Sequence, residues 1–227
     1  NAPVSRVLYG DTGTTGVELM DGEVIDANIV VSALDPRQTF RKMVEPSDLP
    51  ADLIASIDAY QFRGTAAKVN FALAGLPKFP GLDDSEKIFD GFTNIGPSIN
   101  YLEEAFKDSQ SGRFSRRPFI DCCIQSLIDP GMSPPGKHVM SCFVMYCPSQ
   151  LSNSDWEAEK TPLGDTVQET LEEFFPGFSK LVIHREVVTP KDIQSRTGLS
   201  QGDIFAGQLF SSQLFTPRPA PGWNQYR

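Results

Sequence analysis

Apolar and polar positions alternate along the first 36 residues in the two-residue period of strands, not the 3.6-residue period of a helix. "PVSRVLY" (3–9) alternates, "GDTGTTG" (10–16) turns the chain, and "VELM" (17–20) returns. Asp21–Gly22 supplies a two-residue hairpin signal, and "EVIDANIVVSA" (23–33) runs back. The pattern predicts a three-stranded β-meander. Gly10, Gly13 and Gly16 read as turn glycines. A dinucleotide-binding glycine loop opens a helix, and here a strand follows.

Helical spacing appears next in "SDLPADLIASIDAY", where Leu53, Ile57 and Tyr60 share a face. "GTAAKVNFALAGLP" reads as a strand closed by Gly75 and Pro77. "PSINYLEEAFKDSQSG" predicts a helix with Ser98 as N-cap, Leu102 and Phe106 as the buried stripe, and Glu103–Lys107 as a supporting pair. "FIDCCIQSLID" and "KHVMSCFVMYC" are β-leaning runs joined by "PGMSPPG", expected as adjacent antiparallel strands. "DTVQETLEEFF" predicts a third helix with Val167, Leu171 and Phe174 inward, stopped by Pro176 and Gly177. "SKLVIHREVVTP" is a further strand, and Thr189 caps a short helix with Pro190 in its first position. Irregular alternation of strands and helices points to an α+β fold: a mixed, largely antiparallel sheet with helices on one face, plus the meander.

Composition narrows the function. The chain has 227 residues, 20 basic against 29 acidic, for a formal charge of -9. That field repels phosphate backbones and argues against nucleic acid as a partner. The longest strongly apolar run, Val139–Cys147, falls far short of the roughly 20 residues of a membrane span, so no transmembrane segment is expected. Cys122, Cys123, Cys142 and Cys147 form no C-x-x-C and read as reduced cysteines of an intracellular protein. With His138 and His184 as the two histidines, no metal site is expected. No G-x-S-x-G elbow accompanies either histidine; His138 reads as a sheet residue and His184 as solvent-facing or sheet-paired. Adjacent carboxylates at Asp83–Asp84, Glu103–Glu104 and Glu172–Glu173 read as solvated faces. No catalytic residue is assigned.

Three stretches, taken together and in order, carry a resemblance. "GVELMDGEVIDANIVVSALDPRQTF" resembles the segment with which phytoene desaturase-like flavoproteins leave their FAD-binding domain. "LIDPGMSPPGKHVMSCFVMYCP" is similar to their strand pair around a D-P…P-G-K-H turn. "VVTPKDIQSRTGLSQGDIFAGQLFSSQLFTPRPAPGWNQYR" is similar to their late region. The likeness covers essentially the whole chain and falls on a branch apart from the true carotenoid desaturases.

The resemblance implies an FAD-dependent oxidoreductase acting on an extended apolar substrate. It implies that residues 1–36 are a partial FAD-binding domain, 37–188 the substrate-binding domain, and 189–227 a return segment toward the FAD domain. Family cofactor contacts map onto Val4 (backbone facing adenine), Ser32 and Ala33 (near the pyrophosphate), and Arg218 and Tyr226 (bordering the flavin). Where relatives carry His in a G-N-I-F-H-G motif, this chain has Asp203 and Ala206 in "GDIFAGQL", so a polar group is missing there. The family's phosphate-cradling G-x-G-x-x-G and its late glycine-rich flavin segment do not occur. The expectation is a middle-to-C-terminal fragment, inactive alone and unable to retain FAD. Strands such as "KVNFALAGL" and "CFVMYC" are expected to line a pocket for an apolar small molecule. The alternative is a non-catalytic scaffold or lipid-binding protein, self-associating through an exposed docking face. The expected compartment is the cytoplasm or the mitochondrial matrix.

Overall fold

The computed structural model describes residues 2–64, 66–82 and 85–223. The chain forms two compact units: Asn1–Phe62 with Thr197–Arg227, and Arg63–Arg196.

In the first unit, β1 (Val4–Gly10), β2 (Gly13–Leu19) and β3 (Val24–Asp26) form an antiparallel meander in that order. Gly16 lies so close to β3 that a Cβ there would sit 2.3 Å from the Ile25 carbonyl oxygen. The β2–β3 connection is a three-residue loop rather than the two-residue turn expected at Asp21–Gly22. The Leu19 amide donates to Glu23 O at 2.8 Å, the Gly22 amide donates to Leu19 O at 3.0 Å, and Gly22 takes φ +90°. That is a turn closed by a glycine in the left-handed region. β3 also ends early. Its ladder runs along β2, and β2 begins at the hairpin turn, so beyond Ala27, whose amide reaches Thr15 O, the return strand has outrun its neighbour. Ile29 and Val31 are left 78% and 88% exposed.

The chain then enters α1 (Pro36–Gln38), capped by Asp35, and reaches α2 (Ala51–Ala59). Leu53 and Ile57 are buried as the spacing predicts, against Ala220 and beside Phe40, Leu49 and Trp223. Tyr60 follows, also buried.

The second unit contains β4 (Ala66–Leu73), β5 (Thr93–Ile95), α3 (Ile99–Gln110), β6 (Ile120–Ile124), α4 (Gln125–Ile128) and β7 (His138–Met145). It continues through α5 (Trp156–Phe174), α6 (Phe178–Leu181), β8 (Val182–Val188) and α7 (Pro190–Thr197). The sheet order is β5-β6-β7-β4-β8, and every ladder is antiparallel. This bears out the α+β class and the β6–β7 pairing. Alternation places Val69, Phe71, Leu73, Met140, Cys142, Val144, Ile120 and Cys122 on one face, where they join Leu163, Val167 and Leu171 of α5 in one core. Each such large side chain contributes about 1.5–3 kcal/mol on burial.

Two helices depart from expectation. α3 starts at the predicted cap, with Ser98 Oγ accepting the Tyr101 amide at 3.2 Å. Its buried residues are Tyr101 and Ala105, one position before Leu102 and Phe106; Phe106 is 38% exposed. The helix is rotated by about 100° from the predicted stripe. The Tyr101 hydroxyl donates to Pro118 O at 3.0 Å, and the Arg117 guanidinium lies over its ring. α5 begins nine residues before the predicted start at Asp165, at Trp156, capped by Asp155, and runs through Pro162. Gly164 allows this: a Cβ there would stand 2.7–2.8 Å from Arg185 and Val187 of β8. Val167 and Leu171 are buried as predicted, while Phe174 is half-buried and Phe175 takes the interior place. Among the described residues, no helix is long and apolar enough to cross a membrane.

Candidate functional site

The strand residues that alternate away from α5 form the open face of the five-stranded sheet, and two transverse rows organise its chemistry. One row reads Val188, Lys68, Phe143, Asp121 and Asn94 across β8-β4-β7-β6-β5. The next reads Glu186, Asn70, Ser141 and Cys123. Hydrogen bonds run along the second row. The Ser141 hydroxyl donates to Asn70 Oδ1 at 2.9 Å, the Asn70 amide donates to Glu186 Oε2 at 3.4 Å, and Arg196 holds Glu186 Oε1 at 3.3 and 3.4 Å. In the first row, the Asn94 amide donates to the Asp121 carboxylate.

The expected pocket strands are therefore split by their own alternation. In "KVNFALAGL" the apolar Val69, Phe71 and Leu73 enter the core, and Lys68, Asn70 and Ala72 look outward. In "CFVMYC", Cys142, Val144 and Cys147 are buried, leaving Phe143 and Met145 on the open face. The face offers an aromatic ring and aliphatic surface interleaved with amide, hydroxyl and charge.

Burial pushes the Asp121 carboxyl up, and the Asn94 hydrogen bond only partly offsets it. Burial also raises the Cys123 thiol, with Cys122 and Asp121 adding to the effect and Lys68 opposing it. Cys142 is pushed well up by complete burial, and Cys147 to about 12 for the same reason. All four cysteines are free, and Cys123 is the partly exposed one. A contact that sequence reasoning left unmarked joins Ser126 Oγ to His138 Nδ1 at 3.1 Å. Ser126 is buried and its oxygen also accepts the Val139 amide, so the contact fastens the start of β7 to α4. His138 is a sheet residue, and His184 is an exposed one.

The residues expected to contact the cofactor lie in the first unit. Val4 opens β1 opposite Leu19. β1 is an edge strand, and its next residues, Ser5–Tyr9, form one wall of an open cavity of about 560 Å³. The other wall is the segment 41–48 without Ser47, and Arg6, Arg41 and Lys42 bring positive charge to the lining. Tyr9 donates its hydroxyl to Asp48 at 2.9 Å and accepts the Glu45 amide at 3.1 Å. Ser32 and Ala33 are exposed at the end of the unpaired run, where Ser32 Oγ lies 2.7 Å from Thr39 Oγ1. Arg218 donates to the carbonyls of Phe205 and Gly207 and stands 5.7 Å from the Tyr60 ring centroid. Tyr226 lies outside the described residues. None of Val4, Ser32, Ala33 and Arg218 lines the cavity.

Against a flavin dinucleotide the fit is limited to the strand edge, which offers backbone donors and acceptors to a purine. The cations do not form a diphosphate cradle: Arg6 is paired with Glu18 and Arg41 with Asp58, and Glu45 and Asp48 line the same cavity. The same unit holds a stack that sequence reasoning missed. Arg37 lies over the Phe62 ring at 4.7 Å, Phe62 meets Tyr60 edge-on at 5.2 Å, and Arg218 stands on the far side. The Tyr60 hydroxyl is buried with no hydrogen-bond partner among the described residues, and burial raises its pKa. Asp35, wholly buried, joins this end of the chain to Ser200: it accepts the Ser200 amide at 2.8 Å, the Ser200 hydroxyl at 3.1 Å and the Gln38 amide at 3.0 Å.

No family model matches the chain. It is 33% identical over 235 residues to the pyridine nucleotide-disulfide oxidoreductase domain-containing protein 2 of Mus musculus, covering 99% of this chain and 40% of the relative. It is 24% identical over 224 residues to a lycopene-forming phytoene desaturase of Pseudescherichia vulneris, covering 96% of this chain and 43% of that protein. Among solved structures, an oxidoreductase from Methanosarcina mazei matches with a TM-score of 0.52 at 19% identity, over 82% of this chain and 36% of its own; at that identity the likeness concerns fold alone. The chain thus spans about 40% of the length of the curated relatives it matches.

Proposed function

The chain belongs to the phytoene desaturase-like family of FAD-dependent oxidoreductases, and from that membership we propose that it supplies the substrate-facing part of such an enzyme. The open face of the five-stranded sheet is the wall on which the substrate lies. Residues 37–188 are the substrate-binding portion, and 1–36 and 189–227 face the dinucleotide. The observation that supports this is the split alternation of β4 and β7, which fills the core with one side and leaves Lys68, Asn70 and Phe143 presented on the other, with Ser141 buried among them.

Bound FAD supplies the two-electron acceptor chemistry. The chain's own residues orient and exclude water. The backbone at Val4, the polar end at Ser32–Ala33, and Arg218 with Tyr226 are the proposed cofactor contacts. No proton-transfer role is assigned to any of them. Because the 227 residues contain no glycine-rich loop opening a helix, the chain alone holds FAD feebly.

Two measurements test this. After dialysis with FAD, the purified chain is expected to be colourless; stoichiometric flavin absorbance overturns the feeble-binding claim. For the wall, a polyene such as cis-parinaric acid or its methyl ester is expected to slow alkylation of Cys123 by N-ethylmaleimide. Unchanged alkylation with both ligands overturns the placement of the substrate.

A second reading, a non-catalytic scaffold, draws on the exposed Ile29 and Val31. Size-exclusion chromatography separates it: concentration-dependent association that is lost in Val31→Ser favours the scaffold.

A further inference from the structure

Charge on the open face is nearly all committed. Glu186 is held by Arg196 and Asn70, and Asp121 by Asn94. Lys68 is different. It is exposed and, among the described residues, its ammonium makes no ion pair or hydrogen bond. Asp121 lies in the same row, but Phe143 stands between them on β7, so the two are separated by two strand spacings, roughly 10 Å. The outward neighbours of Lys68 divide: Val188 and Phe143 beside it and Ala66 with Met145 one position along are apolar, Ala66 and Val188 being buried, while one position the other way lie Asn70 and Glu186, the latter already held by Arg196.

A bare hydrocarbon laid over this surface would strip water from an ammonium and supply nothing in exchange. A strongly anionic group such as a phosphate ester would call for a cluster of donors, and the row offers one cation. The pairing that satisfies both the charge and the apolar surround is a single carboxylate at the end of an apolar body. We infer that the open face takes an amphipathic carboxylate, a fatty-acid-like or polyene acid, with Lys68 as its counter-ion and Phe143 and Met145 beneath its chain. This rests on the reading of the face as the substrate wall and narrows the substrate class from hydrocarbon to acid.

The test uses the 227-residue chain with cis-parinaric acid and its methyl ester, which share the polyene chain and differ in the charge and one methyl group of the head. Affinity is read from polyene fluorescence, and location from the rate of Cys123 alkylation. The acid is expected to bind at least tenfold more tightly than the ester and to slow alkylation. Lys68→Gln is expected to bring the acid to within about threefold of the ester, while Lys68→Arg retains the preference; circular dichroism confirms that both variants fold. Equal binding of acid and ester, with both shielding Cys123, overturns the carboxylate assignment and leaves the wall in place. A preference that survives Lys68→Gln overturns the role of Lys68. Absence of binding, or binding that leaves Cys123 alkylation unchanged, overturns the inference and the wall together.

Discussion

Ser141 and Asn70 are direct register partners across β7 and β4, and the Ser141 hydroxyl donates to Asn70 Oδ1 at 2.9 Å. Ser141 is 7% exposed, so this bond is shielded from water although it lies on the outward side of the sheet. Ser141→Ala removes the donor and leaves the Asn70 oxygen poorly solvated, a loss of about 1 kcal/mol. Urea denaturation is expected to show it as a lower midpoint with an unchanged slope. In a double-mutant cycle with Asn70→Ala, the coupling is expected at about 0.5 kcal/mol or more; a coupling of zero would remove the row's structural meaning.

Tyr60 and Gly207 make a sharper pair. A Cβ at Gly207 would fall 2.1 Å from Tyr60 Cε1, and Gly207 has φ +125°. Gly207→Ala combines backbone strain with a clash against a buried ring and is expected to cost about 3 kcal/mol or more. Tyr60→Phe should act in the opposite direction. Its hydroxyl is buried without a partner among the described residues, and deleting it relieves a desolvation penalty, so thermal stability is expected to rise by about 1 kcal/mol.

The legible and illegible parts of the chain divide along physical lines. Local, self-contained signals were readable: Ser98 caps α3, Thr189 accepts the Asp192 amide at the start of α7, and the β6 and β7 runs pair. Features set by a distant partner were not. The stripe of α3 is decided by the Tyr101 hydroxyl reaching Pro118, which spacing on the helix cannot foretell. The first half of α5 contains Pro162 and Gly164, poor helix formers whose place depends on close approach to β8. "EVIDANIVVSA" has strand composition throughout, yet only Val24–Asp26 finds a partner strand. The open-face rows were hidden for a similar reason: Lys68, Asn70, Ser141 and Cys123 are scattered along the chain and meet only through register. Arg218 was singled out by its motif, while its contacts with Tyr60 and the 205–207 carbonyls required coordinates.

Asp35 ties together residues 165 positions apart. It is wholly buried and accepts three hydrogen bonds, from the Gln38 amide and from the amide and hydroxyl of Ser200. Asp35→Ala strands those donors and is expected to cost about 3–5 kcal/mol, read by thermal melting. Ser200→Ala removes one bond of the three and is expected to cost about 1 kcal/mol. A larger loss for Ser200→Ala than for Asp35→Ala would contradict the assignment of the carboxylate as the hub.

Carboxylates of the second unit set opposing pH dependences. Burial alone would raise Asp192, but hydrogen bonds from Lys160 and from the Thr189 amide and hydroxyl outweigh it and hold the carboxyl below its usual range. Asp155 is lowered by the Ala158 and Glu157 amides, and Glu172 by those of Ser179 and Gly177. A lowered folded pKa gives stability that is present above the unfolded value, about 4, and lost as pH falls through the folded one. Asp192→Asn is therefore expected to cost about 1–2 kcal/mol at pH 7, with the gap closing below about pH 4. Asp121 has the opposite sign. Its raised pKa means the ionised form is penalised in the fold above that pKa, so Asp121→Asn is expected to stabilise at pH 7 and to lose its advantage on acidification. Paired urea titrations at pH 7 and pH 3.5 check both.

Cysteine reactivity reports on the open face without any ligand. Cys122, Cys142 and Cys147 are fully buried in the core, and Cys142 and Cys147 have their thiols raised by that burial. Cys123, one residue from Cys122, points to the opposite face by strand alternation and is partly exposed. Native protein is therefore expected to take up one equivalent of N-ethylmaleimide, at Cys123, and three more only on unfolding. Because the thiolate is the reacting form and burial raises the Cys123 pKa, the rate should climb at a higher pH than for an exposed thiol. Lys68 opposes that rise, so Lys68→Gln is expected to move the rate profile further up in pH, whereas Asp121→Asn moves it down. Mass spectrometry of the labelled peptide identifies the site. Rapid labelling of Cys122 or Cys142 in native protein would mean that the β6–β7 ladder opens, and the face described here would then be one state of several.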